Sequence, residues 1–394
     1  MVKFVFSLSA MAFQKVFWAS VFFTFLHSLL FIVAVDVTNM TIDEYVNYIN
    51  PPALHNYEDE FGDSILCVKH SDQISLNPEG HSKKSSDISY KGLNISVKRC
   101  PEGTISVREI KHQHVERAGS VARFLGQTKS LDASDDDSVQ EYAYVQFNAG
   151  AATKAEAFIN TWSPYVTSDA IYSRSQMWVM SADQTQILVS GWQVYPELYQ
   201  DERPRLFTYW TADGFETSGC YDLSCPGFVV ASGSQIQPGS PIKDISIDGG
   251  TQYSFSLRMS LEIQSNTPVW ALYASNNLVG YWNTSFIPSL GKFGDQVAFG
   301  GEVKFHSKGA GTPHTNTDMG SGHFPGSGDK KVAHIREIKI SDTSGKEIDP
   351  SSEIMHNHKE CYDVQYNVYE EPYGHTIFFG GPGGDVPQCH NIGI

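Results

Sequence analysis

From Glu141 onward the chain is written in short runs of Val, Ile, Phe, Tyr and Trp, separated by Gly, Pro, Asn, Asp or Ser. The runs fall at residues 142–147, 175–180, 187–194, 205–210, 227–231, 252–257, 269–273, 296–305, 334–340 and 375–379. Runs of this length and residue type, bounded by turn formers, predict strands. No helical period persists between residues 141 and 394. The expected fold is therefore all-β, an antiparallel β-sandwich of the jelly-roll kind, preceded by a small mixed domain.

Composition decides two further points. With 41% hydrophobic, 12% aromatic and only 18% charged residues, the chain can fill a core and is not intrinsically disordered. The formal charge is −16 and no basic run occurs, which argues against nucleic acid as a partner.

Residues 1–35 contain no Asp or Glu, and Lys3 and Lys15 precede an apolar run ending beside Ala34. This pattern predicts a secretory signal peptide cut near Ala34 or Val35, with an uncleaved membrane anchor as the competing reading. Cleavage leaves no membrane attachment and sends the chain to the cell exterior, the wall or the vacuole. Six cysteines suit an oxidising compartment. Nearest-in-sequence pairing gives Cys67 with Cys100, Cys220 with Cys225, and Cys361 with Cys389. Asn39, Asn94 and Asn283 head glycosylation sequons.

These features divide the chain into a signal peptide (1–35), a mixed domain (36–130), an acidic linker (131–140) and the sandwich (141–394). Within the mixed domain, Thr41 is placed to cap a short helix that Pro51 and Pro52 would stop. The linker holds Asp132, Asp135, Asp136 and Asp137 and is an expected processing site.

Motifs for serine, cysteine, nucleotide or metalloprotease chemistry are missing from the sequence. His306, His314 and His323 are spaced eight and nine apart in a Gly-rich region, a pattern more often structural than metal-binding. No metal and no cofactor are expected. What remains is carboxylate chemistry on a β scaffold.

Several stretches carry a resemblance. They are Cys-Pro-Glu-Gly-Thr-Ile at 100–105, Gly-Trp-Gln-Val-Tyr-Pro at 191–196 and Tyr-Trp-Thr-Ala-Asp-Gly at 209–214. Gly-Tyr-Trp at 280–282, Gly-Gly-Glu at 300–302, Met-Gly-Ser-Gly-His-Phe-Pro at 319–325 and Phe-Gly-Gly-Pro-Gly at 379–383 follow in order. In this order they closely resemble the plant neprosin family. That resemblance implies a secreted protein with an amino-terminal activation domain and a carboxy-terminal glutamic peptidase domain on a β-sandwich. It also implies post-proline cleavage at acid pH by two glutamates that activate water, one as base and one as acid.

Carried over residue by residue, Glu302 matches the family's second glutamate. Val189 stands where the first is expected, and Val can neither give nor take a proton. Ala298 and Phe299 also depart from the family pattern. Gln193, or Gln176 on a neighbouring strand, could orient water beside Glu302 instead. Trp192, Tyr209, Trp210, Trp282 and His323 are expected near the cleft.

Three readings stay open: a peptidase scaffold that binds peptides, wall proteins or proline-rich chains without cutting them, an active acid peptidase using Glu302 with Gln193 or Gln176, and a lectin-like binder of carbohydrate. If the cleft is water-filled, Val189→Glu is expected to gain cleavage.

Overall fold

The computed structural model describes residues 37–73, 100–127, 138–234, 236–306 and 314–390. Helix α1 (Ile42–Ile49) starts from Thr41, whose side chain accepts from the Glu44 backbone while Glu44 reaches back to the Thr41 N–H. A three-stranded sheet follows, of β1 (Ala53–Glu58), β2 (Ser64–Lys69) and β3 (Thr104–Arg108). Two short helices, α2 (His112–Ala118) and α3 (Val121–Leu125), complete the amino-terminal part. The Cys67–Cys100 disulfide ties β2 to the segment before β3.

The remaining strands run β4 (Ser138–Asn148), β5 (Lys154–Asn160), β6 (Ala170–Met180) and β7 (Ile187–Val194). After the turn α4 (Pro196–Tyr199) come β8 (Arg205–Thr211), β9 (Cys220–Tyr221) and β10 (Phe228–Val230). Then follow β11 (Ser254–Gln264), β12 (Thr267–Ala274), β13 (Asn277–Asn283) and β14 (Gln296–His306). The chain ends with β15 (Ala333–Ser341), β16 (Glu347–Ile348), β17 (Ser351–His356), β18 (Asp363–Glu370), β19 (Gly374–Gly380) and α5 (Pro387–His390).

One sheet has the order β17-β4-β14-β6-β7-β8-β9, and the other β10-β13-β12-β11-β5-β15-β19-β18 with β16 on β15. All named pairs are antiparallel, which makes the expected all-β sandwich the observed architecture.

Alternation decides which side chains meet between the sheets. On β7, Trp192 points inward and its indole N–H donates to the Asn160 carbonyl of β5 at 2.9 Å. On β14, Gly301 faces the same interior. A Cβ there would lie 2.6 Å from the Phe379 ring, so glycine lets β14 and β19 approach. Val189, Gly191, Gln193 and Glu302 lie on the opposite face of the seven-stranded sheet.

The amino-terminal part packs over the β8–β9 side of that outer face. Tyr45 Oη donates to the Ser224 carbonyl at 2.6 Å, and Gln127 Nε2 donates to the Gly219 carbonyl at 3.0 Å. Gly126 caps α3 in a left-handed conformation and wedges against Tyr209 and Tyr221, where a Cβ would come within 2.6 Å of the Tyr221 ring. Asp63 joins Arg205 at 2.6 Å and Arg108 at 2.9 Å, and Arg108 also donates to the Leu198 and Tyr199 carbonyls.

Some boundaries differ from expectation. Strand β4 begins at Ser138, so the end of the predicted linker belongs to the sheet, and Gly126 and Gln127 are docked against it. The rest of that linker, the signal segment and Asn94 lie outside the described residues. Asn39 is exposed. Asn283 is buried, and its Oδ1 accepts from the Ser285 N–H. The three predicted disulfides form. Among the described residues no helix is long and apolar enough to cross a membrane.

Burial would raise the Asp63 pKa, but Arg205 and Arg108 outweigh it and hold the carboxyl below its ordinary value. Its contribution to stability is therefore present above about pH 4 and lost as pH falls below that. Asp63→Asn is expected to lower unfolding free energy by about 2–3 kcal/mol at pH 6, because Arg205 keeps Asp201 as a partner. Urea titration checks this, and an unchanged midpoint would show that the ion pair does not hold the two parts together.

Candidate active site

Glu302 projects from β14 onto the outer face of the seven-stranded sheet. Register places it beside Tyr142 on β4 and Arg174 on β6, and Arg174 beside Gln193 on β7. Residues two apart on neighbouring strands share this face, so Tyr172, Gln176 and Lys304 join the group.

The carboxylate is only 7% exposed and fully engaged. Arg174 Nη2 bridges both oxygens, at 2.8 Å from Oε1 and 2.9 Å from Oε2. Tyr172 Oη donates to Oε1 at 2.5 Å, with Gln140 Nε2 at 3.2 Å. Gln176 Nε2 donates to Oε2 at 2.8 Å. The two oxygens thus accept five contacts, which uses the directions a water would need.

Electrostatics keep the arrangement ionic. Burial works against the Arg174 charge, yet the attraction of Glu302 leaves its pKa raised, so the guanidinium stays charged. Burial drives the Tyr172 hydroxyl well above its ordinary pKa, with Arg174 opposing and Glu302 reinforcing, so it remains a donor. The guanidinium also lies 4.2 Å over the Tyr172 ring.

The predicted partners separate. Gln176 touches Glu302. Gln193 does not: its Nε2 donates to Tyr199 Oη at 2.9 Å, and Tyr199 donates to Asp222 Oδ2 at 2.7 Å. Burial pushes Asp222 up to about 6, although the Thr208 N–H and the Tyr199 hydroxyl pull the other way.

Val189 shares the face but not the rung. It stands four residues from Gln193, roughly 13 Å along β7, and two strands from β14. It pairs with Trp178 and Tyr209 and is 1% exposed, so the expectation of a water-filled setting fails.

The predicted cleft set needs further correction. Trp192 faces the interior, and Trp282 is fully buried in the other sheet, edge-to-face with Phe228 at 4.7 Å. Trp210 packs on Phe286 at 4.4 Å, on the side of β8 opposite Tyr209. His323 sits in a loop 3.6 Å from Asp248. Of these residues, Tyr209 alone is on the Glu302 face. His314 is buried against Glu141, with His358 against its ring. It lies beside Cys361 and Cys389, whose disulfide removes them as metal ligands.

Arg174 escaped the sequence reading. Its signal was available: it is the one charged residue between Ala170 and Met180, in a strand buried throughout. Next to it opens a cavity of about 350 Å³ between α2–α3 and the sheet, walled by Tyr172, Tyr195, Phe215 and Tyr221.

Comparison with known proteins supplies the family. A family model described as Neprosin matches residues 169–382, more than half of the chain. This chain belongs to the neprosin family.

Among solved structures, it is similar to scytalido-glutamic peptidase bound to a peptide-based transition-state analog. Identity is 12%, with 62% of this chain and 99% of that chain covered, at a TM-score of 0.32. SCP-B, a member of the eqolisin family of peptidases solved with the tripeptide Ala-Ile-His, matches at 11% identity. It covers 62% and 99% of the two chains at a TM-score of 0.32. The Caenorhabditis elegans galectin LEC-6 matches at 9% identity over 44% of this chain and 96% of that one, at 0.21.

In this neprosin-family chain, Val189→Glu would put a carboxylate between two aromatic side chains without a cationic partner. We expect a loss of about 2–4 kcal/mol in urea unfolding and no gain in peptide cleavage at acid pH. A stable Val189→Glu protein that cuts after proline would show that water reaches this position.

Proposed function

We propose that this neprosin-family protein is a secreted peptide-binding protein on a peptidase scaffold, with hydrolysis suppressed at its retained glutamate. The observation that carries the reading is the saturation of Glu302 by Arg174, Tyr172, Gln176 and Gln140. A general base needs a lone pair directed at water, and a general acid needs a proton to give. A carboxylate bridged by a buried guanidinium offers neither. Val189 supplies no second acid–base group. The aromatic walls of the neighbouring cavity suit peptide side chains, proline rings among them. The disulfides fit an oxidising compartment, in keeping with secretion. Residues 36–130 would serve as an activation-type domain lying across this face.

One observation favours a second reading. Gln176 and Glu302 are in direct contact at 2.8 Å, and the pair could orient a water if Arg174 swung away. The two readings part in a single assay. A proline-containing peptide is incubated at acid pH with the purified full chain and followed by mass spectrometry. Suppressed hydrolysis predicts no cleavage above the no-protein control, with peptide binding measurable by calorimetry. The Gln–Glu reading predicts cleavage that falls by about 10²–10⁴-fold in both Gln176→Ala and Glu302→Gln. Cleavage lost in those variants would overturn the suppressed-hydrolysis reading.

A further inference from the structure

The cavity beside Glu302 is cationic, in a chain whose formal charge is −16. Arg117 of α2 and Arg123 of α3 line it from the amino-terminal part, and Arg174 and Lys304 from the sheet. Glu197 is the acidic residue in the lining. Four permanent cations, of which Arg174 is buried, line about 350 Å³.

Arg174 is built to serve this cavity as well as Glu302. It is 4% exposed, and one nitrogen, Nη2, makes both contacts to the carboxylate. Its Nε has no hydrogen-bond partner among the described residues, and Nη1 makes only a long contact, 3.4 Å, to Tyr221. A buried guanidinium with donors unspent, lining a cavity, is a site for an acceptor. The rest of the wall is organic in character: Tyr172, Tyr195, Tyr221, Phe215 and Ile171 present rings and an aliphatic chain. Rings suit a flat apolar body, and the guanidinium groups suit a planar carboxylate.

We propose that this cavity binds an aromatic carboxylate, either as a free organic acid or as the carboxyl-terminal residue of a peptide. The carboxylate meets Arg174 and the arginines of α2 and α3, and the ring lies among the tyrosines. Because the lining comes from both parts of the chain, the ligand bridges them. The site does not depend on whether Glu302 hydrolyses or merely binds peptides.

Calorimetry on the full chain tests this with four probes: 3-phenylpropionate, N-acetylphenylalanine and the primary amide of each. Both acids are expected to bind at low salt and weaken as salt rises, and the amides to bind at least about tenfold more weakly. The tighter acid names the source. Arg117→Gln/Arg123→Gln changes two exposed side chains and should weaken the acids about tenfold or more, with Arg117→Lys/Arg123→Lys recovering part of the loss. The same variants should raise the melting temperature less than wild type does on addition of acid.

Equal binding of acid and amide would overturn the proposal. So would an Arg117→Gln/Arg123→Gln protein that unfolds normally and binds like wild type. Inorganic phosphate binding as tightly as 3-phenylpropionate would overturn the assignment to an organic ligand.

Discussion

The buried ion pair between Arg174 and Glu302 is the constraint around which the outer face of the seven-stranded sheet is organised. A carboxylate and a guanidinium so far from water persist only when each satisfies the other and both are further hydrogen-bonded. Tyr172, Gln176 and Gln140 do this for the carboxylate, and the Tyr172 ring supports the cation. The same requirement explains why polar side chains crowd strands that are otherwise aromatic and aliphatic. Removing either charge would strand the other, so the pair ties a functional position to the stability of the sheet.

That ion pair also sets the relation between cleft and cavity. Arg174 stands at the junction, with one nitrogen turned to Glu302 and its side chain lining the space under α2 and α3. The amino-terminal part closes this space by docking through Asp63, Arg108, Gly126 and Gln127, contacts that bury charge and aromatic surface together. Further along the face, Val189 and Tyr209 lie in an apolar region. The outer face therefore has a polar end at Glu302 and an apolar end at Val189, and a second carboxylate suits only the first.

Much of the fold was legible because strand chemistry is local. Runs of Val, Ile and aromatic residues between turn formers located ten strands, and Thr41 with Pro51 and Pro52 marked the first helix. Strands β5 and β17 were missed for a physical reason. Lys-Ala-Glu-Ala at the start of β5 is small and charged, and β17 is an exposed edge whose residues face water. Strand β13 was missed because Gly280 interrupts its apolar run, although that glycine is what lets β10 approach, a Cβ there lying 2.2 Å from the Val229 carbonyl.

The site was legible only in part. The alternation that puts Val189, Gly191 and Gln193 on one face of β7 requires Trp192 to point the other way. Taking Trp192 as a cleft residue overlooked that two-residue period. The partner of Glu302 was hidden because pairing across β14 and β6 is a long-range register, invisible to local pattern. Gln176 and Gln193 look alike in sequence. Register alone gives Gln176 a contact with Glu302 and turns Gln193 toward Tyr199 and Asp222.

The central claim is that Arg174 holds Glu302 in a strong, buried pair. A double-mutant cycle tests it most directly, with Arg174→Leu, Glu302→Gln and the double variant compared with wild type by urea unfolding. The account predicts that each single change costs about 3 kcal/mol or more, that the double costs much less than their sum, and that the coupling is about 2 kcal/mol or greater. Additive losses, with a coupling below about 0.5 kcal/mol, would contradict it.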